Sequence, residues 1–297
     1  MSRRTSIFVN LIVAVASFFF LYETVAQWSG QRWPVLHEHA FYAGLVVVAF
    51  LFVHVLKLLR FYVILLELKI PIARFIELYV KTTYVNMIFP LKIGEFFRIY
   101  CYGQQVKNFK IGLLSVLVDR FFDTCVLLVV LVPYEILKYK TLSGISLVSL
   151  LLVCGFLFVY HFFPATYKYL NQFLILRGMS KRTLLFLEYL EHLKEWYLYV
   201  QRLVRGRASI LLLLSGTAWM FEYFMLWGLA KLYQGLFGMT DFLTYLNSAF
   251  TGTANDLFAA YLSMGVIVFF IVTLLIYLRS YWIRGEKSYG QAHVRRR

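Results

Sequence analysis

Charge is scarce in this sequence. Only 15% of its 297 residues are Asp, Glu, Lys or Arg, where a soluble globular domain carries about a quarter. Acids are scarcest of all, with 15 Asp and Glu against 30 Lys and Arg and a formal net charge of +15. So little charge beside 61% hydrophobic residues and a mean hydropathy of +0.70 excludes an ordinary water-soluble domain. The three cysteines, Cys101, Cys125 and Cys154, stand far apart among apolar neighbours. They offer neither a disulfide framework nor metal-ligand spacing. There is no G-x-S-x-G, no P-loop and no H-E-x-x-H, so serine-hydrolase, nucleotide-driven and zincin chemistry have no footing. His37-Glu38-His39 has the wrong spacing for zinc, and His54, His161 and His192 are isolated. No metal and no cofactor is expected.

What is present is long apolar runs and many aromatics, 19% of the chain. Six runs, at about 7–26, 40–60, 111–133, 141–163, 208–230 and 260–282, each approach the ~20 residues that a bilayer core requires of a helix. The expected fold is an all-α polytopic integral membrane protein, one transmembrane domain over 1–297 with no soluble catalytic domain. The first run follows Arg3 and Arg4 and is not trailed by an A-x-A-like site, so it reads as a retained span rather than a signal peptide. The basic excess suits membrane headgroups better than nucleic acid. Lys and Arg concentrate at the N-terminus, in 164–207 and in the tail. Six spans put all three on one side, which makes both termini cytoplasmic in the cytoplasmic membrane. The turn 134–140, with Lys138 and Lys140, is an exception to that pattern.

Two regions do not parse as spans. Residues 61–110 leave and return on one side and are broken at Pro71, Pro90 and Gly94; residues 231–259 do the same from the other side and contain "SAFTGTAND". Both read as re-entrant broken helices, which survive at membrane depth only when buried in protein or lining a wet cavity. Paired interruptions of this kind point to a transporter's substrate site. The stretch 183–205 alternates apolar and charged residues at helical period, with Phe186, Tyr189, Leu190, Leu193, Trp196, Tyr197, Val200 and Val204 on one face. It is expected to lie as an interfacial helix on the inner leaflet.

The chemistry-bearing residues cluster in "NMIFPLKIGEFFRIY", residues 86–100, and "DRFFD", residues 119–123. Pro90 ends a helix and Gly94 permits a tight turn. Glu95 then falls in the first turn of the next helix, where the dipole favours an anion, with Arg98 three residues on. Asp119, Arg120 and Asp123 form a second polar knot in an apolar run. A charge inside a membrane helix costs ~2.5–3.5 kcal/mol on insertion scales, so these groups are expected to compensate one another in one cluster. Such pairs either pin helices together or mark a substrate path. Glu222 and Asp256 are further acids at expected membrane depth; for Asp256, helix capping beside Asn255 is an equal reading.

"YVNMIFPLKIGEFFRIY" followed by "VLVDRFFD" resembles the transmembrane region of lysylphosphatidylglycerol synthases. That region is the flippase domain of the multiple peptide resistance factor and also occurs as stand-alone membrane proteins. Asn86, Pro90, Lys92, Gly94, Glu95, Arg98, Arg120 and Asp123 match its pattern, and Asp119 stands in place of the usual Glu. Upstream, "KLLRFYVIL", with Arg60, resembles the family's Arg-Trp segment, with Phe61 in place of Trp. The resemblance covers about 57–130. It implies a flippase-like membrane fold, with two re-entrant helices, that handles phospholipids or lipid-linked sugars, without the soluble lysyl-transferring domain. The expected function is therefore transport of a phospholipid or polyprenyl-linked sugar by a protein that is not an enzyme. Lys92, Arg98 and Arg120 would attract the phosphate, and the acids would hold those cations or meet a sugar or cationic headgroup. The expected partners are these lipids, a separate synthase or glycosyltransferase, and further copies of the chain. Two other readings stand beside it: a membrane-embedded enzyme using Glu95 or Asp119 as general base on a lipid phosphate, and an accessory subunit of such a synthase or glycosyltransferase.

Overall fold

The computed structural model describes residues 36–89, 93–176, 181–232, 235–251 and 255–294. Among these the chain is helical without strands. The helices are α1 (Leu36–Ile64), α2 (Ile72–Ile88), α3 (Ile93–Val106), α4 (Phe109–Tyr139), α5 (Gly144–Leu176), α6 (Lys181–Val204), α7 (Ala208–Leu232), α8 (Met239–Thr251) and α9 (Asp256–Val294), with a 3-10 turn at Leu66–Leu68. Four stretches are long and apolar enough to cross a membrane: Phe41–Ile64, Gly144–Leu176, Ala208–Leu232 and Asp256–Ile276. They coincide with four of the expected runs. The run 111–133 lies in α4, whose 31 residues are ample in length but are interrupted by Asp119, Arg120, Asp123 and Glu135. The run 7–26, together with Pro90 and Lys92, lies outside the described residues.

Local chemistry sets the helix ends. Pro71 precedes α2, and Phe89, ahead of Pro90, leaves that helix with extended backbone (φ −92°, ψ 125°), as a residue before proline prefers. The Asn108 side chain accepts from the Lys110 N–H at 3.0 Å and caps α4. Asn255 does the same for α9, accepting from the N–H groups of Leu257 (2.9 Å) and Phe258 (3.3 Å). Asp256 is left exposed in that helix's first turn, where it complements the dipole.

The chain divides into two compact units, one formed by residues to Phe50, Pro71–Arg98 and Tyr223 onward, the other by Leu51–Ile70 and Ile99–Glu222. In the first, α9 packs on α2 and α8. Its core is aromatic: Phe50 meets Tyr261 and Phe269 edge-on at 5.7 and 5.9 Å, and Tyr245 meets Tyr261 at 5.5 Å. In the second, α4, α5 and α6 pack on one another. Gly112 of α4 lies so close to α3 that an added Cβ would meet the Ile99 carbonyl at 2.5 Å and the Gly103 nitrogen at 2.7 Å.

Helix α5 of the second unit turns polar residues inward and apolar ones outward. The buried residues of α5 are Ser146 and Ser149, while Leu151, Leu152, Phe158 and Val159 are more than half exposed. Buried Glu135 of α4 accepts from Ser143 N–H (2.9 Å), Ser143 Oγ (2.8 Å) and Ser146 Oγ (3.0 Å), closing the α4–α5 turn. An apolar exterior of this extent is the mark of a lipid-facing surface.

Helix α6 realises the amphipathic stretch read from sequence. Of the apolar face, Leu190 and Val200 are buried, with Leu203 beside them, while Phe186, Tyr189 and Leu193 are exposed. Lys194 Nζ and the Tyr167 hydroxyl both donate to the Glu191 carboxylate, at 2.8 and 2.7 Å. The Lys194 bond first, and then the Tyr167 bond, hold Glu191 below its ordinary value of 4.5. A depressed carboxylate contributes stability above its unfolded pKa and loses it as pH falls. Acidification below about pH 4.5 should therefore loosen α6 from α5. Backbone hydrogen exchange of residues 181–204 should accelerate there in the wild type and less in Glu191→Gln.

Candidate functional site

The structure distributes the predicted polar residues over both units and adds partners that the sequence reading left out of the site. In the second unit the centre is Arg60, near the end of α1 and almost fully buried. Its Nε donates to Asp119 Oδ1 at 2.7 Å, and its Nη1 donates to Asp123 Oδ1 at 2.6 Å and to Ser215 Oγ of α7 at 2.9 Å. Asp119 and Asp123 are buried, four residues apart on one face of α4. Arg120 completes the network from its rim, with Nη2 2.9 Å from Asp119 Oδ2 and Nη1 3.4 Å from Asp123 Oδ2. Its side chain is 35% exposed, so the network reaches the protein surface through Arg120.

One turn back along α1, Lys57 Nζ donates to the buried Glu222 Oε2 of α7 at 2.6 Å. Lys57 also sits 5.6 Å from the centroid of the Trp219 ring. The Trp219 indole N–H in turn donates to the Asp123 backbone carbonyl at 3.2 Å. Glu222 was expected as a lone acid at membrane depth and has a cation as its partner. Three basic and three acidic side chains thus neutralise one another in this unit, which is how charge persists in an apolar setting.

In the first unit, α2 and α3 meet where the sequence breaks. An added Cβ at Gly94 would lie 2.2 Å from Asn86 Cα, so only glycine allows this approach. Glu95 is in the first turn of α3, and Asn86 Nδ2 donates to its Oε1 at 3.5 Å. Arg98 is buried. Its Nη1 lies 3.6 Å from Glu95 Oε2, its Nη2 donates to Thr83 Oγ1 at 3.1 Å, and its guanidinium stands 5.6 Å from the Tyr79 ring. The expected Glu95–Arg98 and Arg120–Asp123 pairings are both present.

The family model for the transmembrane region of lysylphosphatidylglycerol synthases matches residues 7–235, well over half of the chain. This protein belongs to that family. No curated protein and no solved structure matches it. The lysylphosphatidylglycerol synthase match extends beyond the 57–130 stretch legible from motifs. It takes in Arg60, Glu222 and both constellations, and it stops before α8 and α9, leaving Asp256 outside.

Lys57, Ser215, Trp219 and Thr83 were missing from the site read from sequence, and Arg60 was named there only within the segment that resembles the family's, with no role at the site. One signal was there: His54, Lys57 and Arg60 recur every third residue, placing three basic groups along one side of an apolar helix.

Proposed function

We propose that this chain moves a lipid with a polar headgroup, a phospholipid or a polyprenyl-linked sugar, between the leaflets of the membrane it spans. The observation that carries this reading is the buried Arg60–Asp119–Asp123 network with Arg120 at its partly exposed rim. Ionisable groups at membrane depth are costly and usually mark a substrate path. Arg120 can offer a phosphate two parallel N–H donors, while acyl chains stay in lipid along the apolar exterior. Membership of a family named for a phospholipid synthase agrees with a lipid substrate.

The finer architecture belongs to the same proposal. Helices α2 and α3 have 17 and 14 residues, about 25 and 21 Å of rise, each short of the ~30 Å bilayer core. Joined across the Pro90–Gly94 break, they make the first re-entrant region, and the 13-residue α8 makes the second. With 7–26 and α4 counted, six spans result, and the distribution of Lys and Arg places both termini in the cytoplasm. The protein works without covalent chemistry, on lipid that a separate synthase or glycosyltransferase supplies.

Purified protein in vesicles should accelerate leaflet exchange of a fluorescent phospholipid, or of a labelled polyprenyl-linked sugar, measured by a membrane-impermeant quencher. Arg120→Ala should slow it about tenfold or more, since a hydrogen bond to a charged group is worth ~1.5–3 kcal/mol. Mass spectrometry should find the lipid covalently unchanged. Exchange no faster than in protein-free vesicles, for both lipids, would sink the proposal.

A further inference from the structure

Helix α5 is longer than a bilayer core. Its 33 residues rise about 50 Å, against a core of ~30 Å. The turn before it carries the exposed cations Lys138 and Lys140, which suit headgroup level at that end. A crossing is then complete about 20 residues on, near Pro164 within the helix. The apolar surface continues past that point. Tyr169, Phe173 and Leu176 are exposed. By helical spacing they fall on the stripe of Phe158 and Phe162, which belongs to the exposed apolar length of α5.

Helix α6 divides its apolar face between two uses. Towards the C-terminus the protein itself takes the face: Val200 is buried, and the Tyr197 ring lies 5.2 Å from Tyr160 and 5.0 Å from Phe163 of α5. Towards the N-terminus Leu190 is buried at one edge, but Phe186, Tyr189 and Leu193 are 65%, 68% and 54% exposed. Glu188, Glu191 and Glu195 fall on the opposite side of the helix. Only four residues separate Leu176 from Lys181, so the two exposed apolar stretches are neighbours.

From this division we infer that the α5 tail and the N-terminal half of α6 form a docking surface for the headgroup layer of an anionic phospholipid leaflet. The sequence reading laid the whole of α6 on the membrane; the structure leaves half of its apolar face free to do so. Two features select lipid as the occupant. The stripe on the α5 tail is continuous with the apolar exterior of the same helix, so it enters the same bilayer at its boundary, where Tyr is favoured. The charge is also one-signed: from Pro164 to Leu187 the sequence has Lys168, Arg177, Lys181 and Arg182 and no acid. Phe186, Tyr189 and Leu193 enter the acyl boundary, and the long basic side chains reach the phosphates above them. This surface goes beyond the lipid movement proposed above and does not rest on it.

Hydroxyl-radical footprinting of the full wild-type chain tests this, in nanodiscs that hold one chain each. The discs are phosphatidylcholine alone or with about one-third phosphatidylserine, which supplies the negative surface. Phe186 and Tyr189 should be modified more slowly in the anionic discs. Leu184, exposed on the opposite side of α6, is the internal control and should react equally in both. The double variant Lys181→Gln, Arg182→Gln alters two exposed side chains and leaves the helix intact. It should weaken docking by about fivefold per charge removed, read as faster modification of Phe186 and Tyr189 in anionic discs. Phe186 and Tyr189 reacting as fast in anionic as in zwitterionic discs would overturn the inference if both are open. Protection that is equal in the two lipids and unchanged in the double variant would overturn it too, because something other than an anionic headgroup layer then covers the face.

Discussion

Replacing Arg60 with methionine should cost about 3–5 kcal/mol of folding stability, the usual penalty for removing one member of a buried ion pair. The substitution keeps an unbranched, apolar stem and deletes the guanidinium that reaches Asp119 at 2.7 Å, Asp123 at 2.6 Å and Ser215 at 2.9 Å. Two carboxylates then lie buried with only Arg120 beside them. Because Arg120 is 35% exposed, solvent screens it and it offsets only part of the loss. Thermal denaturation in detergent should show a large fall in Tm. Arg60→Lys should fall between, because one ammonium cannot serve the Nε and Nη1 positions together. The triple variant Arg60→Met, Asp119→Asn, Asp123→Asn should recover much of the loss, since no buried carboxylate is then left and Arg120, 35% exposed, is screened by solvent. An Arg60→Met protein as stable as the wild type would show that Arg60 is not what neutralises these acids.

Arg60 also marks the limit of what a single sequence reveals here. The apolar run read as 40–60 placed Arg60 at its edge, where a basic residue ordinarily meets headgroups. In the structure α1 continues to Ile64 and Arg60 is interior, because its partners Asp119 and Asp123 arrive from 59 and 63 residues away. Glu222 finds Lys57 across 165 residues. Tertiary pairing at such separations leaves no local periodicity to read. What local chemistry controls was legible: the breaks at Pro71 and before Pro90, Glu95 in a first turn, a helix start at Asn255–Asp256 (with Asn255 rather than Asp256 as the cap), the amphipathic α6 and the apolar helices. A count would have narrowed the rest. Three basic residues at threefold spacing on one apolar helix demand acids from elsewhere, and Asp119, Asp123 and Glu222 are among the few acids placed in apolar runs.

The α2–α3 junction yields the second large effect, through backbone geometry rather than charge. Gly94→Ala should destabilise the protein by about 3 kcal/mol or more, at or above the upper end for overpacking. The added Cβ would fall 2.2 Å from Asn86 Cα and 2.6 Å from Asn86 N, and backbone atoms cannot turn aside as a side chain can. The two helices must separate, which strains the Asn86–Glu95 and Arg98–Thr83 hydrogen bonds. Hydrogen exchange should rise over residues 83–98, and the Tm should fall. The decisive comparison is the double variant Asn86→Gly, Gly94→Ala. Trimming Asn86 removes its Cβ, 2.6 Å from the new methyl, but leaves the Cα and N contacts in place. The double variant should therefore be no more stable than Gly94→Ala alone. If it returns to wild-type stability, the clash is with a side chain, and the close backbone crossing described for α2 and α3 is wrong.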